Sequence, residues 1–490
     1  MMGIMSTFCI LLIILCIHYV LGKHIIIVTI CTSHFYLTET ISRGLVTRGH
    51  QVTYIVSGEC AERVHKTGAA IYNVKPWNFK NTMLVNRDGH LLECAHFGAE
   101  QLNQLIRDKE FPYPDFVMAD LFVVGISAIA EKNNIPYANL YFAMADFPGI
   151  TNKCSSLNSW FGIDDNFSSI HLYFSRSLLN FGLDFMLSAI CRGANAIRTR
   201  NGLKDKFTSI SHLLNSYPSF VMLNSKFQIS FEGENIYPLG IIEVPYSSTV
   251  LPEDVQNFIE TSDKDILYVA FGSKMNASDE MHYQLMTYLK EQTLYNVIYA
   301  RYPGNAGAIF DNILVTDFIP QRELLQNPKV KLFISHCGLN SVIESIVAEV
   351  VTVCMPLGRD QHSSAFGLVN AGVATVVKNC ESKESIINAV ENATKMYTII
   401  QENLIREKQR LYRMDGITQI ENMISKFAGR TTRIYVTDPH TLGQKLVLIS
   451  TLLTLIVLFI LKTCFIMKII KIILFQCKGR KCAVNKEKVN

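Results

Sequence analysis

Short apolar runs rich in β-branched residues recur along this chain, and each is followed by a stretch of helical periodicity. His24–Ile30 (HIIIVTI) shows no polar alternation, so it reads as a strand buried on both faces. Apolar residues then recur at helical spacing from Phe35 to Val46, Gly49 supplies a stop, and Gln51–Val56 is the next strand. A strand, a helix and a strand in this order make a crossover between parallel strands, which requires a sheet covered on both faces. Phe116–Ala119, a helix over Phe122–Lys132 and a strand over Pro136–Tyr141 repeat the unit. The first half, to about residue 245, therefore reads as one doubly wound α/β domain.

Tyr246–Asp263 reads as a linker, and a second α/β series starts after it. Its strands are expected at Ile266–Phe271, Asn296–Ala300, Ile313–Val315, Lys331–Ile334, Val351–Met355 and Val373–Val377. Helices are expected near Asp279–Gln292, after Gly338, over residues 383–410 and over Ile417–Phe427. The expected fold class is α/β: two doubly wound, Rossmann-like domains with a cleft between them. Nearly half of the residues are apolar and 18% are charged, so a large core is available to both domains. Residues 150–215 form a helical, aromatic insertion suited to walling an apolar pocket, touching a membrane, or ordinary packing. No basic aromatic patch suggests nucleic acid.

The two ends carry a different signal. Residues 1–22 read as a secretory signal with an apolar core at Phe8–Val20 and cleavage before Lys23. Leu446–Leu461 has no charged residue, and its continuation through Lys462 to Met467 reaches the ~20 residues of a helical membrane span. Seven cations follow in residues 468–490, which places that tail in the cytosol and the body in the lumen. Lys486 and Lys488 near the carboxyl end look like a retrieval signal of the endoplasmic reticulum. The expected layout is a signal peptide (1–22), an N-terminal α/β domain (23–245), a C-terminal α/β domain (246–440), a membrane helix (446–467) and a basic tail (468–490). Asn166, Asn276 and Asn392 stand in N-x-S/T sequons, as in a lumenal glycoprotein. Of thirteen cysteines, eight fall in the body at irregular spacing. This points to isolated thiols, with room for one or two bridges, rather than to zinc or a disulfide framework.

The stretch Phe333–Gln361 carries the chemistry. A strand ends at Ser335-His336-Cys337-Gly338 and feeds a helix whose first turns hold Asn340, Ser341 and Glu344. Unpaired N–H groups and the helix dipole favour an anion at such a junction. Asn340 and Glu344 share a helix face, so a carboxylate stands ready for ribose hydroxyls beside donors for phosphate. That combination suggests a nucleotide-sugar site.

Phe318-Ile319-Pro320-Gln321, Leu324-Leu325, Pro328, His336-Cys337-Gly338-x-Asn340-Ser341-x-x-Glu344 and Asp360-Gln361 together resemble the signature of the UDP-glycosyltransferases. That family includes animal UDP-glucuronosyltransferases and plant UDP-glucosyltransferases. The resemblance implies the fold known as GT-B, two facing Rossmann-like domains, here with a C-terminal membrane helix. It implies a UDP-sugar as co-substrate, no cofactor and no metal, and leaves a homo-oligomer open. Gly272 and Ser273 resemble the diphosphate-facing loop. Phe318 takes the place of a tryptophan that stacks on uracil, and Gln321 would contact base or ribose. His336, Gly338, Asn340 and Ser341 would hold the diphosphate; Glu344 would accept from the ribose; Asp360 and Gln361 would bind the sugar. Glucuronate would need a cation; Arg359, which precedes Asp360, reads equally as that cation and as a plain surface charge. Glu349-Val350-Val351 replaces the family's Gly-Val-Pro.

His34 follows the first strand and resembles the family's catalytic base; Asp120 ends another strand and resembles its acidic partner. Taken singly, each residue has a plainer reading: Asp120 as the N-cap of the next helix, Asn340 and Ser341 as caps, Asp360 and Gln361 as a solvated loop. The expected function is transfer of a hexosyl or glucuronosyl group to a small lipophilic acceptor hydroxyl, with inversion, in the endoplasmic reticulum membrane. A second reading keeps the fold without turnover, as a binding or chaperone-like member.

Overall fold

The structure is a computed structural model that describes residues 22–29, 33–56, 60–72, 98–120, 123, 125–141, 191–208, 210–221, 235–242, 250–272, 278–300, 312–317, 319–357, 361–434 and 453. The expected signal apart from Gly22, most of the insertion, the membrane segment apart from Leu453, the basic tail, Asn166, Asn276, Ser273, Phe318, Arg359 and Asp360 lie outside those residues. Among the described residues no helix is long and apolar enough to cross a membrane. The chain divides into two units, Met1–Thr437 and Asp438–Asn490, and the first holds both sheets.

The first sheet contains β1 (His24–Val28), β2 (Gln51–Ile55), β3 (Ala70–Ile71), β4 (Phe116–Asp120), β5 (Tyr137–Tyr141), β6 (Ser219–Val221) and β7 (Ile236–Pro238). All pairings are parallel, in the order β3-β2-β1-β4-β5-β6-β7. Every residue of β1, β4 and β5 is buried, as sheets covered on both faces demand. Helices α1 (Ser33–Thr47), α2 (Ala61–His65), α3 (Ile126–Lys132) and α4 (Ile210–Asn215) connect the strands. Residues 98–107 and 191–200 are also helical.

A helix, α5 (Glu253–Thr261), stands where a linker was expected. It starts after Pro252, carries Glu253 and Asp254 in its first turn, and buries only Val255 and Ile259. So narrow an apolar stripe reads as loop in sequence. The second sheet holds β8 (Ile266–Ala270), β9 (Asn296–Ala300), β10 (Ile313–Thr316), β11 (Val330–Ser335), β12 (Val351–Cys354) and β13 (Ala374–Val376). Its order, β10-β9-β8-β11-β12-β13, is the 3-2-1-4-5-6 order of dinucleotide-binding sheets. Its helices are α6 (Asp279–Glu291), α7 (Gln321–Leu325), α8 (Leu339–Ala348), α9 (Gln361–Asn370), α10 (Lys383–Lys395), α11 (Tyr397–Tyr412) and α12 (Gly416–Lys426). The single helix expected over 383–410 is two, broken at Met396 with neither proline nor glycine to announce it.

The chain crosses back to the first domain at its end. Arg48, in the turn after α1, donates to Asp415 (2.8 Å), Thr418 (2.6 Å) and Glu421 (2.7 Å) on α12. Beyond α12, Thr432 accepts from the Tyr137 N–H at 3.0 Å, and the Ile434 N–H donates to the Ser216 carbonyl at 2.9 Å. Arg433 and the wholly buried Arg198 both bond Glu131 on α3, at 3.1 and 2.6 Å. Burial pushes the Glu131 carboxyl up. Hydrogen bonds from Arg198 and Tyr217 and the charges of Arg198 and Arg433 outweigh it and leave the carboxyl below its usual range.

Candidate active site

In an open parallel sheet, ligands bind beyond the carboxyl ends of the strands, where the strand order reverses. In the first sheet that point lies between β1 and β4, which pair directly. His34 stands at the start of α1, just after β1, and Asp120 is the last residue of β4. Topology thus brings together two residues 86 apart in sequence. His34 Nδ1 lies 2.7 Å from Asp120 Oδ2. The Asp120 side chain is 1% exposed and that of His34 22%, so the carboxylate is hidden while the ring reaches solvent. A ring that donates from Nδ1 presents Nε2 as a base. Asp120 is not the cap of the next helix: the N-cap of α3 is Gly125.

In the second sheet the reversal lies between β8 and β11, again direct neighbours. Gly272 follows β8 and His336 follows β11. The His336 ring lies against both glycines of the site. A Cβ on Gly272 would stand 2.9 Å from Nε2, and one on Gly338 would stand 2.5 Å from it. Gly272 also has φ 72°, where glycine alone is unstrained. Burial drives the His336 imidazole down to about 4, partly offset by the Ala270 carbonyl, so the ring is neutral at pH 7. Its Nδ1 is buried with no hydrogen-bond partner among the described residues.

Gly338 is the N-cap of α8 and, having no side chain, leaves the first N–H groups of that helix uncapped. Asn340 and Ser341 therefore do not cap it, and both sit in its first turn. Ser341 accepts instead from the Gln321 amide at 3.0 Å, and the same amide donates to Glu344 at 2.6 Å. Tyr268, buried on β8, donates to the Gln321 carbonyl at 3.3 Å and stacks on Phe333 with ring centres 4.9 Å apart. Sequence reading passed over Tyr268, whose lone hydroxyl within ILYVA was the available signal. Burial raises the Glu344 carboxyl to about 7, against the hydrogen bond from Gln321 and the charge of Arg322. Gln361 opens α9 and is buried; its carbonyl accepts from the Leu357 N–H at 2.8 Å, so it orders the loop after β12. Helix α8 packs against α1, the helix that carries His34.

Residues 214–409 match the family model described as UDP-glucoronosyl and UDP-glucosyl transferase. Human UDP-glucuronosyltransferase 3A2 is 25% identical over 69% of this chain and 71% of its own length. Over that span this chain resembles the UDP-glycosyltransferases. Another relative, the NDP-glycosyltransferase YjiC of Bacillus subtilis, is 25% identical over 76% of this chain and 88% of its own. The fold is shared with the solved glycosyltransferase of kitacinnamycin (TM-score 0.64, 16% identity, 83% of this chain and 99% of that one). It is shared too with UGT2 of Phytolacca americana (TM-score 0.59, 16% identity, 83% and 100%).

One departure from the UDP-glycosyltransferase pattern and one cysteine pair have visible consequences. Glu349, where the family's glycine is expected, caps α8 in the left-handed region at φ 58°. That conformation costs an L-residue about 1–2 kcal/mol, and the Lys408 ammonium 2.8 Å from the Glu349 carboxylate offsets part of it. Cys337 is bonded to Cys354 in a disulfide, so these two cysteines are not the isolated thiols that their spacing suggested.

Proposed function

We propose that this enzyme moves a hexosyl or glucuronosyl group from a UDP-sugar to the hydroxyl of a small lipophilic acceptor, inverting the anomeric carbon. One observation carries the reading. The His34–Asp120 pair occupies the reversal point of one sheet, and His336 with an uncapped helix N-terminus occupies that of the other. In this mechanism His34 Nε2 takes the acceptor proton as the oxygen attacks the anomeric carbon. The bond to the diphosphate breaks, and UDP leaves with its electron pair. Asp120 orients the ring and stabilises the imidazolium. N–H groups at the start of α8 and the neutral His336 ring meet the charge gathering on the leaving group. Gln321 and Glu344 hold the nucleoside side, Asn340 and Ser341 in the first turn of α8 face the diphosphate, Gly272 and Gly338 let the backbone approach, and Gln361 borders the sugar. Ser273, Phe318 and Asp360 complete the site on sequence grounds.

Two similarities support this substrate class. The human relative is named a glucuronosyltransferase, and the Phytolacca structure holds UDP-2-fluoro-glucose and the stilbene pterostilbene. The apolar Leu446–Met467 segment, the signal-like first 22 residues and Lys486 and Lys488 support a single-pass protein of the endoplasmic reticulum with a lumenal body. Full-length protein, a panel of UDP-sugars and a generic phenol, read by mass spectrometry, should give one glycoside and UDP. His34→Ala should lower turnover by about 10²–10⁴. Unchanged turnover removes His34 from the mechanism.

A further inference from the structure

Cys337 and Cys354 are both wholly buried, with Cα atoms 5.8 Å apart, a separation that a disulfide spans without moving the backbone. Cys337 is the middle residue of the His336-Cys337-Gly338 turn, and Cys354 ends β12. The strand register pairs Ser335 with Cys354, so the bridge runs across the carboxyl ends of two neighbouring strands. It closes the β11–α8–β12 crossover on its ligand side, over a sequence separation of 17. Cys337 itself sits at φ 60°, in the left-handed region, and its N–H donates to Ser335 Oγ at 3.0 Å. A non-glycine residue holds that conformation only where its surroundings impose it. On the other side of the bridge, Cys354 leads through Met355, Pro356 and Leu357 to Gln361.

We propose that the Cys337–Cys354 bridge is a positioning element of the donor site. It pins the turn that carries His336 and Gly338 to the end of β12 and to residues 355–357, which Gln361 holds through the Leu357 N–H, so its redox state sets the affinity for the nucleoside diphosphate. The inference rests on the UDP-sugar reading above. Formation proceeds by exchange with a glutathione or protein disulfide: two thiols lose their protons, one S–S bond forms, and two electrons reduce the exchange partner to thiols. A dithiol reverses this and leaves as its own cyclic disulfide. Cys380, whose thiol donates to the Pro356 carbonyl at 3.5 Å, does not shuffle the bridge. Burial pushes it up to about 11, so it is a protonated, poor nucleophile at neutral pH.

The test uses full-length protein purified without reductant. Alkylation and peptide mapping should find Cys337 and Cys354 joined. UDP titrated by calorimetry should bind the bridged protein and bind about tenfold more weakly after dithiothreitol or in Cys354→Ala, the effect of releasing one strained turn. KM for the UDP-sugar should rise by the same factor while the acceptor KM stays put, a split that general loss of folding does not produce. Should Cys354→Ala fail to fold, reduction and reoxidation of the wild-type protein carries the comparison. Equal UDP affinity in bridged and reduced forms overturns the inference and leaves the UDP-sugar reading standing. Free thiols at both positions in active protein also overturn it, and no UDP binding by bridged protein overturns both readings.

Discussion

Asp120→Asn is the sharpest probe of the proposed acid–base pair. It keeps the shape of a side chain that is 1% exposed and removes its charge 2.7 Å from the His34 ring. At an effective dielectric of about 20, a full charge pair at about 4 Å is worth about 4 kcal/mol. That attraction exists only once the ring has taken the acceptor proton, so it lowers the barrier rather than tightening the ground state. At about 1.4 kcal/mol per decade, its loss should lower kcat about 10³-fold. An asparagine amide that turns its NH2 toward Nδ1 adds to the loss, because it selects the tautomer whose Nε2 is already protonated. The assay is UDP release at saturating donor and acceptor, with UDP affinity by calorimetry and a thermal melt beside it. In the proposed mechanism UDP binds at the other sheet, so its affinity should change by less than about twofold. A folded Asp120→Asn protein with kcat within about fivefold of wild type would refute the argument. So would a variant that lost UDP affinity in proportion to kcat.

Gly338→Ala places a methyl group 2.5 Å from His336 Nε2 and must displace the ring. At about 1–3 kcal/mol for overpacking, UDP affinity measured by calorimetry should fall about 5- to 150-fold. Glu344 gives a pH dependence: its carboxyl, raised to about 7, is protonated below that pH, whereas a ribose hydroxyl donates to the carboxylate. UDP affinity should therefore be full above pH 7 and fall about tenfold per unit below it; Glu344→Gln should remove that slope. The same shift makes the ligand-free protein lose stability as pH rises from about 4.5 through 7. Glu349→Gly relieves a left-handed residue but gives up the Lys408 pair, and chemical denaturation should show a gain of up to about 1 kcal/mol. Glu349→Ala keeps the strain and loses the pair, so it should move stability the other way, by about 0.2–1 kcal/mol.

Much of this was legible in the sequence because parallel sheets write themselves plainly. HIIIV, FVMAD and ILYVA are buried on every residue, and a parallel sheet with helices between its strands hides such runs. Legibility failed where packing rather than pattern decides. α5 has two buried positions in nine residues, and the break at Met396 has no punctuating residue. The site split along the same line. Which residues stand at strand ends was readable, and so was the signature that joins them. Which atoms meet was not: Gln321 reaching Glu344, Tyr268 fixing Gln321 and Cys337 reaching Cys354 depend on strand register, which sequence spacing does not encode.

The two halves of the site solve opposite electrostatic problems, and the residues differ accordingly. On the donor side, burial leaves His336 neutral at pH 7 and Glu344 close to half protonated, so neither brings a full charge of its own. The charge there arrives with the ligand and grows as UDP departs. A neutral imidazole and the uncapped N–H groups of α8 meet it as dipoles, without the desolvation cost of a buried cation. On the acceptor side, the charge that forms is the imidazolium, and it needs a fixed counter-charge; the buried Asp120 supplies one at hydrogen-bond distance. In the proposed mechanism, proton transfer and leaving-group departure fall to different sheets. A mutation that weakens one half should show in kcat and a mutation in the other in donor affinity, with α8 against α1 as the packed contact through which the two remain in register.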